Sequence, residues 1–321
     1  MSKAPAPARS DADYLGQALR TSYLAHAVDL TTDPWCQMIL RAAYLGTRRF
    51  EGFLQQVAAP RQTLSLRLAY LVRIGLLAKQ RTEPDSMRQE YRLTPRGKAL
   101  HANVLASWSW DRRWGVTHDQ LPSRLIHGVC NHAFRPCLVC EHCAGPLALQ
   151  RVEPFHVRLD DPVPKRVVRN RRWRNTPIES DAPDRDILAA IDDRWSVLIV
   201  AALMLGASRY EQLARMLQIS SAVLARRLQR LCKLGILISW PDPADARRAF
   251  YGLDKAGQDL FAYLLTLSAW GGADQQRPDT IGWIHTQCRQ PVAGRMVCSH
   301  CHASVLPTQV VRPQAAAGTS N

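Results

Sequence analysis

Two short segments of the chain combine histidine and cysteine at spacings that suit metal coordination. Their patterns are His127-x2-Cys130-x9-Cys140-x2-Cys143 and His285-x2-Cys288-x9-Cys298-x2-Cys301. Four nitrogen and sulfur ligands that converge in this way close a tetrahedron around Zn²⁺ in zinc ribbons and knuckles. The spacing therefore predicts two structural zinc ions, one held by each segment.

The distribution of cysteines supports this interpretation and leaves two others open. Seven of the nine cysteines fall in these segments, a clustering that favours metal over a disulfide framework. His142 and His300 occupy matching positions, so they are either competing metal ligands or residues that orient the ligands by hydrogen bonds. Cys137 is not expected to bind metal, because Arg295 stands at the matching place. The alternatives are reduced structural thiols without metal, and redox-active or sensing thiols.

Basic residues form the second group with a chemical role. The formal net charge of +15 favours a polyanionic partner, either nucleic acid or an anionic membrane face, over a basic surface with no partner. A basic run over residues 165–174 lies either along phosphates or a minor groove, or in a solvated linker. Polar and basic residues also fill one face of two predicted helices: Arg61, Gln62, Ser65 and Arg67 in the first, and Ser221, Arg226, Arg227 and Arg230 in the second.

The elements that must position these residues occur twice in the chain. Trp35–Trp110 aligns with Trp195–Trp270 without a gap, at a constant offset of 160 residues, and the Cys/His segments match at an offset of 158. A repeat of this length is domain-sized, so the chain is an internal duplication with two cores. Copy one runs from Trp35 through Cys143, and copy two runs from Trp195 through Cys301.

Apolar spacing, glycines and prolines predict the same succession of elements in both copies. The elements of copy one are a leading helix over 14–28, a helix led by Pro34 that ends near Gly46, a helix over Phe50–Val57, a helix from Pro60 to Ile74, strands to Arg81 and over Gln89–Leu93, and an apolar helix over Pro95–Trp110. Copy two has a matching helix capped by Ser220 that ends at Leu234, strands over Ile236–Trp240 and Ala249–Leu253, and a helix over Ala256–Trp270.

Three helices, a hairpin and a further helix make up a winged helix-turn-helix. The sequence also resembles the HxlR-type winged-helix transcription regulators. Copy one carries the resemblance in Arg49-Phe50-Glu51-Gly52-Phe53, Leu64-Ser65-Leu66-Arg67-Leu68 and Glu90-Tyr91-Arg92-Leu93-Thr94-Pro95-Arg96-Gly97, and copy two in Arg209-Tyr210, Leu224-Ala225-Arg226-Arg227-Leu228 and Tyr251-Gly252-Leu253. The expected fold is mainly α with small β-wings: two winged helix-turn-helix domains, each followed by a small Cys/His ribbon, arranged as an intramolecular pseudo-dimer.

The expected division of the chain follows from these patterns. Its parts are a disordered N-terminus over 1–13, winged-helix domain 1 over 14–115, Cys/His ribbon 1 over 116–152, a basic linker over 153–184, winged-helix domain 2 over 185–273, Cys/His ribbon 2 over 274–311, and a disordered tail over 312–321. The leading helix and the apolar helices after the wings are the expected contact between the copies.

The resemblance implies a sequence-specific regulator of double-stranded DNA whose two recognition helices enter successive major grooves. Because the copies differ, we expect non-identical half-sites. The residues expected near bases or phosphates are Arg61, Gln62, Thr63, Ser65, Arg67, Ser221, Arg226, Arg227 and Arg230, and those expected at phosphates near the helix entrance and wing tip are Arg49, Arg88, Arg209, Arg247 and Arg248. Alternatively, Arg67 and Arg227 are internal ion-pair partners of Glu51 and Glu211.

A protein-interaction adaptor that keeps the winged helices without reading DNA is the alternative function. No enzyme motif is found, so an enzyme is not expected. No apolar run reaches the roughly 18 residues of a membrane span, and the N-terminus lacks a signal peptide. These features predict a cytoplasmic, nucleoid-associated protein, acting as a monomeric pseudo-dimer or a dimer of such chains. The operator, any small-molecule effector, the direction of regulation, and a structural or sensory role for the metal stay open.

Overall fold

The computed structural model describes residues 11–31, 33–81, 89–115, 122–157, 187–191 and 193–311. The expected disordered tail, most of the basic linker and Arg88 lie outside these residues, as does the side chain of Arg247. Among the described residues, no helix combines the length and apolar character that a membrane crossing requires.

Copy one follows the predicted order, except that the single leading helix expected over 14–28 is two helices separated at Ser22. The helices and wing strands are α1 (Asp11–Thr21), α2 (Tyr23–Thr31), α3 (Pro34–Tyr44), α4 (Phe50–Val57), α5 (Arg61–Arg73), β1 (Leu77–Arg81), β2 (Gln89–Leu93), α6 (Pro95–Ala99) and α7 (His101–Trp114). The ribbon strands are β3 (Leu125–His127), β4 (His132–Phe134), β5 (Pro136–Cys140) and β6 (Val152–His156). Two expected boundaries are wrong, because α1 begins inside the N-terminus expected to be disordered and β6 occupies the start of the expected linker.

Copy two repeats these elements. Its helices and wing strands are α8 (Ile187–Ala190), α9 (Arg194–Met204), α10 (Tyr210–Leu217), α11 (Ser221–Lys233), β7 (Leu237–Asp242), β8 (Asp245–Leu253), α12 (Lys255–Asp259) and α13 (Phe261–Gly272). The ribbon strands are β9 (Ile281–His285), β10 (Gly294–Cys298) and β11 (Val310–Val311). The expected fold class, two winged helix-turn-helix domains in a mainly α chain, is confirmed.

Local sequence explains where the helices of each winged-helix domain begin, turn and end. Asp33 and Asp193 cap α3 and α9, since their carboxylates accept hydrogen bonds from Cys36 N at 3.0 Å and from Ser196 N at 2.8 Å. The turns between the paired helices reverse through left-handed residues, Ala58 and Gln218, both with φ 52°. The long helices predicted after the wings are instead broken at Leu100 and Leu260, which separate α6 from α7 and α12 from α13.

The two copies dock through the leading helices and the helices after the wings, as expected. Helix α13 packs on both α2 and α7, and a Cβ added to Gly271 would lie 2.5 Å from Tyr23 O, so only glycine allows the close approach to α2. Each copy also holds the other through an equivalent tryptophan: Trp110 Nε1 donates to Ala256 O at 2.8 Å, and Trp270 Nε1 donates to Arg96 O at 3.1 Å. These reciprocal contacts make the pair a pseudo-dimer with a shared apolar core.

The ribbon strands also cross between the copies. Strand β5 pairs antiparallel with β10, β6 pairs with β9, and β11 pairs with β3. In the β5–β10 pair, Leu138 lies opposite Met296, its equivalent in the duplication. The local two-fold axis of the pseudo-dimer therefore passes between these two strands.

Candidate metal centres and nucleic-acid interface

The four predicted ligand pairs, two His-x2-Cys and two Cys-x2-Cys, all end in the same tight turn. The residue after the second ligand of each pair has a left-handed backbone: Asn131 at φ 55°, Ala144 at 56°, Arg289 at 57° and His302 at 58°. Non-glycine residues adopt this conformation uncommonly, so its presence at four equivalent places reflects a shared geometric need. Each turn brings its two ligand side chains to the same side of the chain, as in a zinc knuckle.

The structure assembles the eight predicted ligands into two clusters, but the grouping is not the expected one. One cluster consists of His127, Cys130, Cys298 and Cys301, and the other of Cys140, Cys143, His285 and Cys288. The expectation that each segment forms its own ribbon is therefore wrong. Because β5 and β10 pair across the two-fold axis, the Cys-x2-Cys end of each copy lies beside the His-x2-Cys end of the other.

The distances within each cluster fit a tetrahedral ion. In the first, Cys130 Sγ lies 3.9 Å from Cys298 Sγ, and Cys301 Sγ lies 3.3 Å from His127 Nδ1. In the second, Cys140 Sγ lies 3.9 Å from Cys288 Sγ, and Cys143 Sγ lies 3.3 Å from His285 Nδ1. Zinc with bonds of about 2.3 Å to sulfur and 2.0 Å to nitrogen would place its ligand atoms about 3.5–3.8 Å apart. Three sulfurs and one imidazole nitrogen are also a donor set that zinc prefers.

Burial and backbone polarity shape the chemistry of the clusters. His127 and His285 are fully buried, and the Nδ1 atom of each ring faces the cysteines of its cluster, while Nε2 has no hydrogen-bond partner among the described residues. The backbone N–H of Ala303 lowers the pKa of the Cys301 thiol to about 7. Burial raises the pKa of Cys140, but the amides of its own knuckle outweigh this effect and lower it. The pKa values of Cys301 and Cys140 are thus shifted toward the thiolate that binds metal, whereas burial raises the pKa of Cys130.

His142 and His300 are not members of either four-residue cluster. His300 instead stacks on His132 with ring centroids 3.8 Å apart, at the exposed rim beside Cys130. Cys137 is also outside both clusters, as expected, and its thiol lies 3.6 Å from Arg135 O.

The helices α5 and α11, each second in its helix-turn-helix, present one exposed face. On α5 this face includes the predicted residues Arg61, Gln62 and Ser65, with Thr63 half-buried beside them. On α11 it includes Ser221, Arg226 and Arg230. Arg61 Nη2 lies 2.9 Å from Glu51 Oε1, but both side chains are about two-thirds exposed, and such surface pairs contribute little.

Two predicted DNA contacts are structural instead. Arg67 is 5% exposed, and its guanidinium binds both carboxylate oxygens of Asp33, at 2.7 and 2.9 Å. Arg227 is ion-paired through its Nη2 with one carboxylate oxygen of Asp193, and its side chain is 19% exposed. The expectation that these arginines face DNA is wrong, since helical periodicity turns them toward the core. The internal ion pair weighed as the alternative is present, but its partners are the N-cap aspartates rather than Glu51 and Glu211.

The remaining predicted phosphate contacts that the structure describes lie beside the wings. Arg49 is 63% exposed with Nε 3.8 Å from Glu90 Oε1, and Arg209 is 50% exposed over the ring of Phe250 at 4.9 Å. Arg248 is exposed on β8.

The prediction missed the roles of Asp33 and Asp193, although the sequence carried a signal. The two aspartates are equivalent in the duplication, just as Arg67 and Arg227 are, and a repeated acid paired with a repeated base suggests an internal ion pair. The prediction also missed the exposed side chains of Ile238 and Trp240 on β7, for which the sequence gives no comparable signal.

Both copies match one family of known proteins. A family model described as HxlR-like helix-turn-helix matches residues 30–119 and again residues 190–279. The chain belongs to this family. Each match contains one complete helix-turn-helix and its wing, so the resemblance read from the sequence is confirmed for both copies. All eight ligands of the metal clusters lie outside the two matches to the HxlR-like family model.

The relatives resemble part of the chain. An uncharacterized HTH-type transcriptional regulator of Mycobacterium tuberculosis is 34% identical over 131 residues, which are 41% of this chain and 83% of the relative. The regulator YtfH of Escherichia coli is 32% identical over 89 residues, 27% of this chain and 71% of the relative. The crystal structure of PA1607, described as a candidate transcription factor, is 29% identical and covers 41% of this chain and 91% of its own, with a TM-score of 0.35.

Proposed function

We propose that the protein is a transcription regulator that binds double-stranded DNA in a sequence-specific manner, with α5 and α11 in successive major grooves. The observation that carries this proposal is the pair of exposed second helices, related by the two-fold axis of a pseudo-dimer. In helix-turn-helix dimers this arrangement matches half-sites about one helical turn, roughly 34 Å, apart. Joining both domains in one chain raises the effective concentration of the second, so a single chain would suffice.

The two faces favour an asymmetric operator. Position by position, Gln62, Ser65 and Leu66 on α5 are replaced by Ala222, Ala225 and Arg226 on α11. An arginine in the major groove pairs well with guanine, whereas glutamine pairs with adenine and an apolar side chain packs on a thymine methyl group. With Arg61 on α5 matched by Ser221 on α11, and Leu66 matched by Arg226, arginines stand at different positions on the two faces, so the two halves of the operator would differ.

Phosphate contacts would hold the protein in register. We assign this role to Arg49, Arg209 and Arg248, which are exposed beside the helix entrances and wings, while Arg88 and Arg247 remain predictions from the sequence. Such contacts carry little sequence information but set orientation and salt dependence. The protein would act at the nucleoid in the cytoplasm, and it would not be an enzyme.

We also propose that the two Cys/His clusters each bind one structural Zn²⁺. The ligand distances, the four left-handed turns and the buried imidazoles support this assignment over reduced thiols without metal. Bound zinc would supply folding energy to the ribbons by joining their ligand-bearing turns.

A matched pair of charge-removing variants tests the DNA interface. Arg226→Gln removes an exposed cation from α11, and Arg113→Gln removes one from α7, where it pairs with Asp259 at 2.9 Å. If α11 enters the groove, Arg226→Gln weakens binding to a selected duplex by about 1–3 kcal/mol and relaxes preference at one position, and the control does not. Equal effects of the two variants, measured by fluorescence anisotropy, would contradict the assignment.

One feature favours the adaptor as a second candidate. Leu66 is 48% exposed on the face of α5, where α11 has Arg226. An apolar residue on a recognition face also suits a protein partner. The adaptor predicts that no sequence motif is enriched when the protein selects among random duplexes.

A further inference from the structure

The metal clusters draw their ligands equally from both copies. The first takes His127 and Cys130 from copy one and Cys298 and Cys301 from copy two, and the second has the reverse composition. We propose that the two ions are shared between the copies, so that metal binding and docking of the copies form one coupled equilibrium. This inference rests on the zinc coordination proposed above and goes beyond it by assigning the metal an inter-copy role.

The backbone fixes this exchange independently of the ligand side chains. Glu141 N, within one Cys-x2-Cys turn, donates to Ala293 O at 2.8 Å, and Ser299 N, at the equivalent place in the other, donates to Arg135 O at 3.1 Å. Each Cys-x2-Cys turn is therefore hydrogen-bonded to the strand region of the opposite copy. The ligands of one cluster converge only where β5 and β10 are paired.

Coupling follows from this composition. A copy separated from its partner offers two ligands to each ion instead of four, so it would bind zinc far more weakly. By reciprocity, zinc must strengthen docking by the same factor as docking strengthens zinc binding. The ions would thus restrain the spacing between α5 and α11, on which simultaneous reading of two half-sites depends.

Metal counting in paired substitutions distinguishes shared sites from sites within one copy. Cys130→Ser with Cys298→Ser removes two ligands from one shared cluster, whereas Cys130→Ser with Cys140→Ser removes one ligand from each. Shared sites predict one zinc per chain in the first double variant and none in the second, after brief exposure to a competing chelator. Sites within each copy predict the reverse. Cys137→Ser, a nearby non-ligand cysteine, is the control and should retain two.

The outcomes separate the possible failures. Native mass spectrometry gives the count, and the C130S/C298S variant decides alone if the other fails to fold, because one ion supports sharing and none overturns it. If the wild-type protein binds two zinc ions but the two double variants show the reverse zinc counts, sharing is overturned and the zinc proposal stands. Wild-type protein purified without metal, and unable to take up zinc, overturns both proposals but not DNA binding.

A second measurement tests the coupling itself. A protease site inserted within residues 158–186 would allow the chain to be cut between the copies, after which the dissociation constant of the two halves is measured with zinc and with chelator. Coupling predicts that chelation raises this constant by about tenfold or more, even though the apolar contact of α7 with α13 remains. An unchanged constant would overturn the inter-copy role of the metal.

Discussion

Arg67 offers the sharpest separation between a structural and a DNA-binding role. Its guanidinium binds both oxygens of Asp33 at 2.7 and 2.9 Å, and the two side chains are 6% and 15% exposed. Replacement by alanine would leave the carboxylate of Asp33 in a mostly buried place without its cation. Removing one partner of a buried pair costs roughly 3–5 kcal/mol. Because Asp33 keeps its bond from Cys36 N and some exposure to water, we expect about 3 kcal/mol.

The assay combines stability with salt dependence. Urea unfolding, followed by circular dichroism, should show the transition of Arg67→Ala at a lower urea concentration. In a double-mutant cycle, Arg67→Ala should cost much less in the Asp33→Ala background than in the wild type, because no stranded charge remains, while the loss of the α3 cap is common to both Asp33→Ala variants. The slope of log affinity for DNA against log salt should not change, since the buried arginine neutralises no phosphate.

The opposite pattern would refute this reasoning. If Arg67→Ala unfolds like the wild type and its salt slope falls by about 0.9 per lost phosphate contact, the arginine faces DNA as the sequence first suggested. Arg226→Gln is the matched comparison, because an exposed residue on the equivalent helix should change stability by less than about 0.5 kcal/mol.

Two further perturbations test the packing that places the wings and ribbons. Gly97→Ala would put its Cβ 2.1 Å from the carbonyl oxygen of Leu76, so we expect the free energy of unfolding in urea to fall by about 1–3 kcal/mol. The control, Gly52→Ala, meets only the movable methyl group of Thr47 at 3.1 Å and should be nearly neutral. Equal effects of the two variants would contradict this packing. Burial lowers the pKa of His101 to about 4 from its ordinary 6.5. Between these two pH values the unfolded chain therefore binds more protons than the folded chain. The free energy of unfolding should fall by up to about 3 kcal/mol as the pH decreases from 6.5 to about 4. His101→Leu should flatten this part of the pH–stability curve relative to the wild type, and an unchanged curve would contradict the assignment.

Much of the fold was predictable because the duplication doubled every local signal. Pro34 at the start of a helix, the Phe50–Val57 helix and the Gln89–Leu93 strand were read from capping, apolar spacing and alternation. The break at Leu100 could not be predicted, because the apolar pattern continues through it and only tertiary packing separates α6 from α7. The start of α1 was missed because its stabilising contacts, such as that of Arg20 with Met216 O, lie in copy two.

The ligands of the candidate metal sites were predictable, but their partnership was not. Spacing alone identified His127 and Cys130 as a pair, and Cys298 and Cys301 as another, because each pair is local. Which pairs share an ion depends on strand pairing between residues more than 150 apart, and sequence periodicity carries no information on that choice. Arg67 shows the complementary difficulty, since a basic residue on a helix reads equally as a DNA contact or as a buried ion-pair partner until its face is known.

Selection of random duplex DNA by the purified, metal-loaded protein at physiological salt tests the central proposal most directly. A sequence-specific pseudo-dimer predicts one enriched motif with two unlike halves about one helical turn apart, bound by a single chain. Binding that depends on salt but enriches no sequence would contradict sequence-specific regulation. A perfect palindrome bound by two chains would contradict the division of the operator between α5 and α11.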